Sequence, residues 1–123
     1  MIDHVTLQVA DVEASRRFYE VVLEPLGIHI MSAGEGFAGF HGDTPGSFWL
    51  IPAERSADRE LHLAFSSPDR AHVRAFFEAA KGIGAPVLHE PRLFPEYHEN
   101  YYGAFVRDPD GHNIEAVCHD PEG

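Results

Sequence analysis

The sequence predicts an α+β fold made from two copies of one strand–helix–three-strand unit, and three observations predict it. The first is an internal repeat. At an offset of 58 residues His4 falls on His62, Asp11 on Asp69, Phe18 on Phe76, Glu20 on Glu78, Val5 on Leu63 and Leu7 on Phe65. The second is that each copy opens with alternating polar and apolar residues and, seven positions after its histidine, reaches an aspartate that starts a helical pattern. The third is that each helical pattern is followed by short β-prone runs divided by glycine and proline.

In the first unit, Val5, Leu7 and Val9 share one strand face, and His4, Thr6 and Gln8 share the other. Asp11 is placed to cap a helix over about Val12 to Leu23, its carboxylate accepting from free amides of the first turn. Pro25 and Gly27 stop that helix. Three strands are expected next, Ile28 to Ser32, Gly36 to Phe40 and Ser47 to Ile51, separated by glycine-rich turns. Pro52 to Arg59 is polar, lacks periodicity and suits a linker.

The second unit repeats the order. Leu61, Leu63 and Phe65 alternate with His62, Ala64 and Ser66, and Asp69 or Ser67 caps a helix running to about Lys81. A strand around Pro86 to His89 precedes a stretch, Glu90 to Asn100, rich in proline, histidine, tyrosine and charge. Tyr101 to Arg107 and His112 to His119 then form a hairpin across Asp108-Pro109-Asp110-Gly111, which suits a type I turn. The 123 residues are expected to form one domain, with modules of about 1–53 and 60–119.

Composition narrows the function classes. A formal charge of −11, with no basic cluster, repels a phosphate backbone and argues against nucleic acid as a partner. No apolar run reaches the roughly 18 residues of a membrane span. The start of the chain lacks a signal-peptide pattern, and a single cysteine, Cys118, permits no intrachain disulfide. A cytoplasmic location is expected.

The chemistry-bearing residues sit on the polar strand faces. Asn113, Glu115, Val117 and His119 share one face of the last strand, so Glu115 projects on the polar side as His4 and His62 do. Two imidazoles and one carboxylate suit zinc, nickel, iron or manganese, and three protein ligands leave positions open for water or substrate.

With its Asp-His-Val start, its Asp-Pro-Asp-Gly-His-Asn-Ile-Glu end and its paired modules, the whole chain resembles the vicinal oxygen chelate superfamily. That superfamily includes glyoxalases, extradiol dioxygenases, fosfomycin resistance transferases and bleomycin resistance proteins. The resemblance implies curved sheets around a cup-shaped site. It implies a divalent metal held by His4, His62 and Glu115, a small-molecule substrate and a homodimer. The cup would be built within one chain or exchanged between two. The activity it implies first is a glyoxalase-like lyase or isomerase acting on vicinal oxygens by Lewis-acid catalysis. The alternatives are an extradiol-type dioxygenase and a non-catalytic drug- or metabolite-binding protein.

Aligning Gly46 with Gly111 puts Leu50 opposite Glu115, so the fourth ligand of many lactoylglutathione lyases is missing. Beside Glu115, the expected catalytic groups are Tyr101, Tyr102 and His98, from a stretch read as the lip of the cup or as an ordinary surface loop. His119 is expected to be exposed, with a ligand-supporting or acid–base role as the alternative, His112 to be structural or exposed, and Cys118 to be a small buried apolar group.

Overall fold

A computed structural model describes residues 2–54 and 60–121, so residues 55–59 of the expected linker lie outside it. The first module runs β1 (His4–Val9), α1 (Val12–Leu23), a short 3-10 helix (Glu24–Leu26), β2 (His29–Gly34), β3 (Phe37–His41) and β4 (Ser47–Pro52). The second runs β5 (His62–Ser66), α2 (Arg70–Gly82), β6 (Val87–Leu93), β7 (Tyr102–Arg107) and β8 (Asn113–Cys118). Both caps form as the sequence implies. Asp11 Oδ1 accepts from the Ala14 amide at 3.1 Å and Asp69 Oδ1 from the His72 amide at 2.9 Å. The proline in the 3-10 turn and Gly27, at φ +76°, close the first helical segment.

Each module folds its four strands into one mixed sheet, in the orders β1-β4-β3-β2 and β5-β8-β7-β6. The first strand of each module pairs in parallel with the last, His4 opposite Ser47 and His62 opposite Asn113. The order leaves β1 and β5 as free edges of two separate sheets. This is the α+β architecture that the duplication predicts.

One apolar core serves both modules. Leu7, Val9, Phe48 and Leu50 of the first sheet cluster with Ala104, Val106, Ile114 and Ala116 of the second, around Phe18, Tyr19, Phe76 and Phe77 of the helices. Phe48 meets Phe65 across the module boundary with ring centroids 5.5 Å apart. Because each sheet gives its apolar face to this shared core, each turns its polar face away from it. His4, Thr6 and Gln8 are exposed on one sheet, and His62, Ala64 and Ser66 on the other.

The relative placement of the modules is fixed by the β7–β8 turn. Asp108 Oδ2 accepts from the buried Tyr19 hydroxyl at 2.5 Å, and Asp108 Oδ1 accepts from the amides of Asp110 (3.0 Å) and His112 (2.9 Å). Asp110 reaches back to the first module, accepting from the Ala10 amide at 3.0 Å. Gly111, at φ +85°, takes the left-handed position that the turn requires.

Burial, then the charge and hydrogen bond of Asp108, push the Tyr19 hydroxyl far above the ordinary tyrosine range. A raised folded-state pKa stabilises below the unfolded value, about 10 for tyrosine, and that contribution is lost as pH rises beyond it. Denaturant stability is therefore expected to fall above about pH 10, and less steeply in a Tyr19→Phe variant. Part of the slope remains, because Tyr101 is shifted in the same direction. Identical slopes for both proteins would refute the assignment to Tyr19.

Candidate active site

The parallel pairing of β5 with β8 sets Ala64 opposite Glu115, so His62 and Glu115 stand one pleat apart on the same polar face. There His62 Nε2 and Glu115 Oε1 lie 2.7 Å apart. Glu115 is sealed in, its side chain 1% exposed, whereas the His62 ring is half open at 50%. The second carboxylate oxygen accepts the hydroxyl proton of Tyr101. Burying a carboxylate is costly unless a cation or several donors hold it. Among the described residues no lysine or arginine bonds Glu115, so its partners are one imidazole and one phenol. Burial, then the Glu115 hydrogen bond and charge, push the Tyr101 hydroxyl well above its usual range, which keeps it a proton donor.

The stretch after β6 is folded over this face. Its ends are joined by the Phe94 amide donating to the Tyr101 carbonyl at 2.8 Å, and the Tyr97 amide closes a turn on the Phe94 carbonyl at 3.0 Å. Asn100, at φ +67°, takes the left-handed bend that Asn tolerates better than most residues. Phe94 is buried against Phe105 at 5.2 Å and Tyr101 at 6.1 Å, and Tyr97 stacks on it at 5.5 Å. Phe94, Phe105 and Val117 are buried yet stand apart from the main core, as a second apolar layer on the polar side of the sheet. The stretch is thus a packed wall beside Glu115.

The other expected residues divide by strand alternation. Tyr102 faces α2, with the guanidinium carbons of Arg70 and Arg74 at 5.2 and 5.9 Å from its ring, on the opposite side of the sheet from Glu115. His98 faces His119, their nitrogens 2.9 Å apart, and its ring lies 5.2 Å from that of Tyr101. Both histidines are exposed. His112 is buried and its Nδ1 accepts from the Leu61 amide at 2.9 Å, a structural bond that anchors the start of β5. Cys118 is buried. His4 lies on the other sheet, exposed, with Nδ1 2.8 Å from Asp3 Oδ1. Accordingly, among the described residues of one chain no three metal-binding side chains gather.

Strand register revises one alignment. Since His4 pairs with Ser47 and His62 with Asn113, the position equivalent to Glu115 is Trp49, not Leu50. Leu50 faces the core, whereas Trp49 lies on the outer face, its Nε1 donating to Ser47 Oγ at 2.9 Å. Neither side chain is a metal ligand. The first module offers no fourth ligand at that place.

Duplicated βαβββ sheets, with His4 and His62 at matched positions of their first strands, define a glyoxalase-type architecture. Comparison places the chain accordingly: it belongs to the Glyoxalase/Bleomycin resistance protein/Dioxygenase superfamily, whose model matches residues 1–116. It is 28% identical to the uncharacterized protein YqjT of Bacillus subtilis (strain 168), over 94% of this chain and 96% of that one. Among solved structures it is similar to a glyoxalase/bleomycin resistance protein from Albidiferax ferrireducens T118. That match has a TM-score of 0.80 and 27% identity, covering 98% of this chain and 99% of the other. It also shares the fold of a lactoylglutathione lyase from Agrobacterium tumefaciens, with TM-score 0.75, 20% identity and coverage of 96% and 92%.

Proposed function

We propose that this protein is a metal-dependent enzyme acting on a small substrate that chelates through two neighbouring oxygens. Its centre is assembled from two copies of the chain. His62 and Glu115 of one copy and His4 of another would hold the ion, which is zinc, nickel, iron or manganese by ligand type. The observation that carries this reading is the buried Glu115 carboxylate, which meets a half-open imidazole and a phenol but no lysine or arginine among the described residues. A divalent cation supplies the charge that such a carboxylate otherwise lacks. The donor set therefore fits the ion.

The placement of the two polar faces supports a dimer. The two polar faces turn away from one shared core, and both first strands end their sheets with a free edge. A cleft of about 840 Å³ runs along β5, lined by His62, Leu63 and Phe65 together with Val5 and Phe48 of the first module. A second copy seated along that edge would bring His4 to the His62–Glu115 pair.

A divalent ion held there would supply Lewis-acid polarisation of substrate oxygens. The chain supplies the rest. Tyr101 holds Glu115 by one oxygen and fixes its orientation, as an outer-shell partner does. Its proton, retained by burial and by the carboxylate, is available to a substrate oxygen that displaces the hydrogen bond. Phe94 and Phe105, packed with the Tyr101 ring, keep water from that side of the carboxylate. Tyr102 has no part in the chemistry, and His98 acts only through the Tyr101 ring.

The reaction we place first is glyoxalase-like isomerisation or lysis. The observation favouring extradiol-type oxygenation instead is Trp49, which stands where a lyase would carry its further carboxylate or amide. Elemental analysis of the purified protein, with oxygen uptake on catechols and isomerisation of a hemithioacetal assayed side by side, decides between them. Metal with isomerisation supports the first reading and metal with oxygen uptake the second. A metal-free protein that binds ligand equally well as His62→Ala would be a binding protein and overturn both.

A further inference from the structure

Gly103 lies in the middle of β7, opposite Val117 of β8, in ordinary extended backbone that does not itself call for glycine. Glycine in a strand interior gives up side-chain packing and costs conformational entropy, so its presence there needs another cause. The cause is close approach. A Cβ at position 103 would stand 3.2 Å from Glu115 Oε2, 3.4 Å from the Tyr101 ring and 3.4 Å from the Ala116 carbonyl oxygen. These are the oxygen that Tyr101 holds and the ring that holds it. The strand carries no side chain where the carboxylate needs room.

We infer that Gly103 is a positioning residue for the candidate centre, its missing side chain leaving room for Glu115 to bond Tyr101 and His62 at once. A methyl at 3.2 Å from Oε2 requires the Glu115 carboxylate to give by a few tenths of an ångström. Its Oε1 is fixed 2.7 Å from His62 Nε2, and its Oε2 is fixed by the Tyr101 hydroxyl, itself held by a ring packed against Phe94. Because both carboxylate oxygens are bonded, that shift alters the bond to His62 as well as the bond to Tyr101. The inference rests on the metal reading for its consequence, and on contacts within the chain for its geometry.

The test is Gly103→Ala, compared with Gly82→Ala, where a Cβ would meet nothing within 4 Å. Two readouts are taken. In metal-free protein, the ring-nitrogen NMR signals of His62 are expected to move towards those of a Glu115→Gln variant. With zinc or nickel ion alone as probe, affinity by calorimetry is expected to fall about 10- to 100-fold, the range of outer-shell changes at metal sites. It should fall no further when Gly103→Ala is added to Glu115→Gln. Gly82→Ala should change neither readout. Should the single variant not fold, Gly103→Ala in a Glu115→Ala chain is expected to fold, because the crowding oxygen is gone, and its failure to fold as well would overturn the positioning role.

An unmoved His62 signal in the folded variant would overturn the positioning role, and so would an equal loss of affinity in the Glu115→Gln background. Wild-type protein that binds no ion, while its His62 signal still follows position 103, would instead overturn the metal reading and leave the positioning role standing.

Discussion

Glu115→Gln is expected to weaken binding of a divalent ion by more than about 100-fold while leaving the fold intact. Changes to groups that merely orient a metal ligand cost about 10- to 100-fold, and under the proposed metal reading a charged ligand itself is lost. Glutamine is nearly the same size and can still bond Tyr101 and His62, so packing on the polar face of the second sheet is preserved. Without metal, the variant should be no less stable than the wild type, because it removes a buried charge that only an imidazole and a phenol compensate. Calorimetric titration with zinc, nickel and manganese, together with thermal melts of metal-free protein, reads both halves. Unchanged affinity would remove Glu115 from the ligand set. A large loss of stability with unchanged affinity would make it a structural carboxylate.

Asp108→Ala is expected to cost about 3–5 kcal/mol of folding stability, the largest effect on stability of any single change considered. The substitution deprives three donors of their acceptor: the Tyr19 hydroxyl and the amides of Asp110 and His112. Each buried donor left without a partner costs about 1–3 kcal/mol, and the more exposed Asp110 amide recovers part of that from water. Against a total stability of about 5–15 kcal/mol for a domain, the variant would be only marginally folded. Tyr19→Phe removes one donor of the same junction and should cost about 1–2 kcal/mol, since Asp108 keeps its two amide partners. Urea denaturation of the two variants gives the ranking. An Asp108→Ala loss below about 1 kcal/mol would mean that the turn does not tie the modules together. The junction matters for function because it holds the apolar faces of the sheets against one core. It thereby keeps His4 and His62 of one chain apart.

The architecture was legible because its signals are local and repeated. The 58-residue offset pairs strand with strand and helix with helix, and both Asp caps stand where the first-turn amides need an acceptor. Strand alternation alone put His62 and Glu115 on the polar side, and parallel pairing of β5 with β8 made them neighbours. Tyr101 and Tyr102 show where that reasoning ran out. They are adjacent in sequence and equally plausible as proton donors, yet a strand sends them to opposite faces, and only the start of β7 decides which meets Glu115. The fourth-ligand position was one residue out, because the Gly46–Gly111 alignment ignores a register that only the pairing of each first strand with its last reveals. The Asp108–Tyr19 junction carried no sequence signal, since hydrogen bonds between positions 89 apart have no periodicity to betray them. Gly103 did carry one. A lone glycine within a strand pattern often marks a close approach, though nothing in the sequence says what approaches.

The proposed metal centre draws His4 from one chain and His62 with Glu115 from another. It is tested most directly by mixing two crippled variants. His4→Ala and Glu115→Gln should each bind no ion tightly alone. Refolded together in equal amounts, they form mixed dimers in which one of the two centres keeps all three ligands, so about one quarter of wild-type binding and activity should return. A mixture no better than either variant alone would contradict the shared centre. So would His4→Ala protein that keeps wild-type affinity.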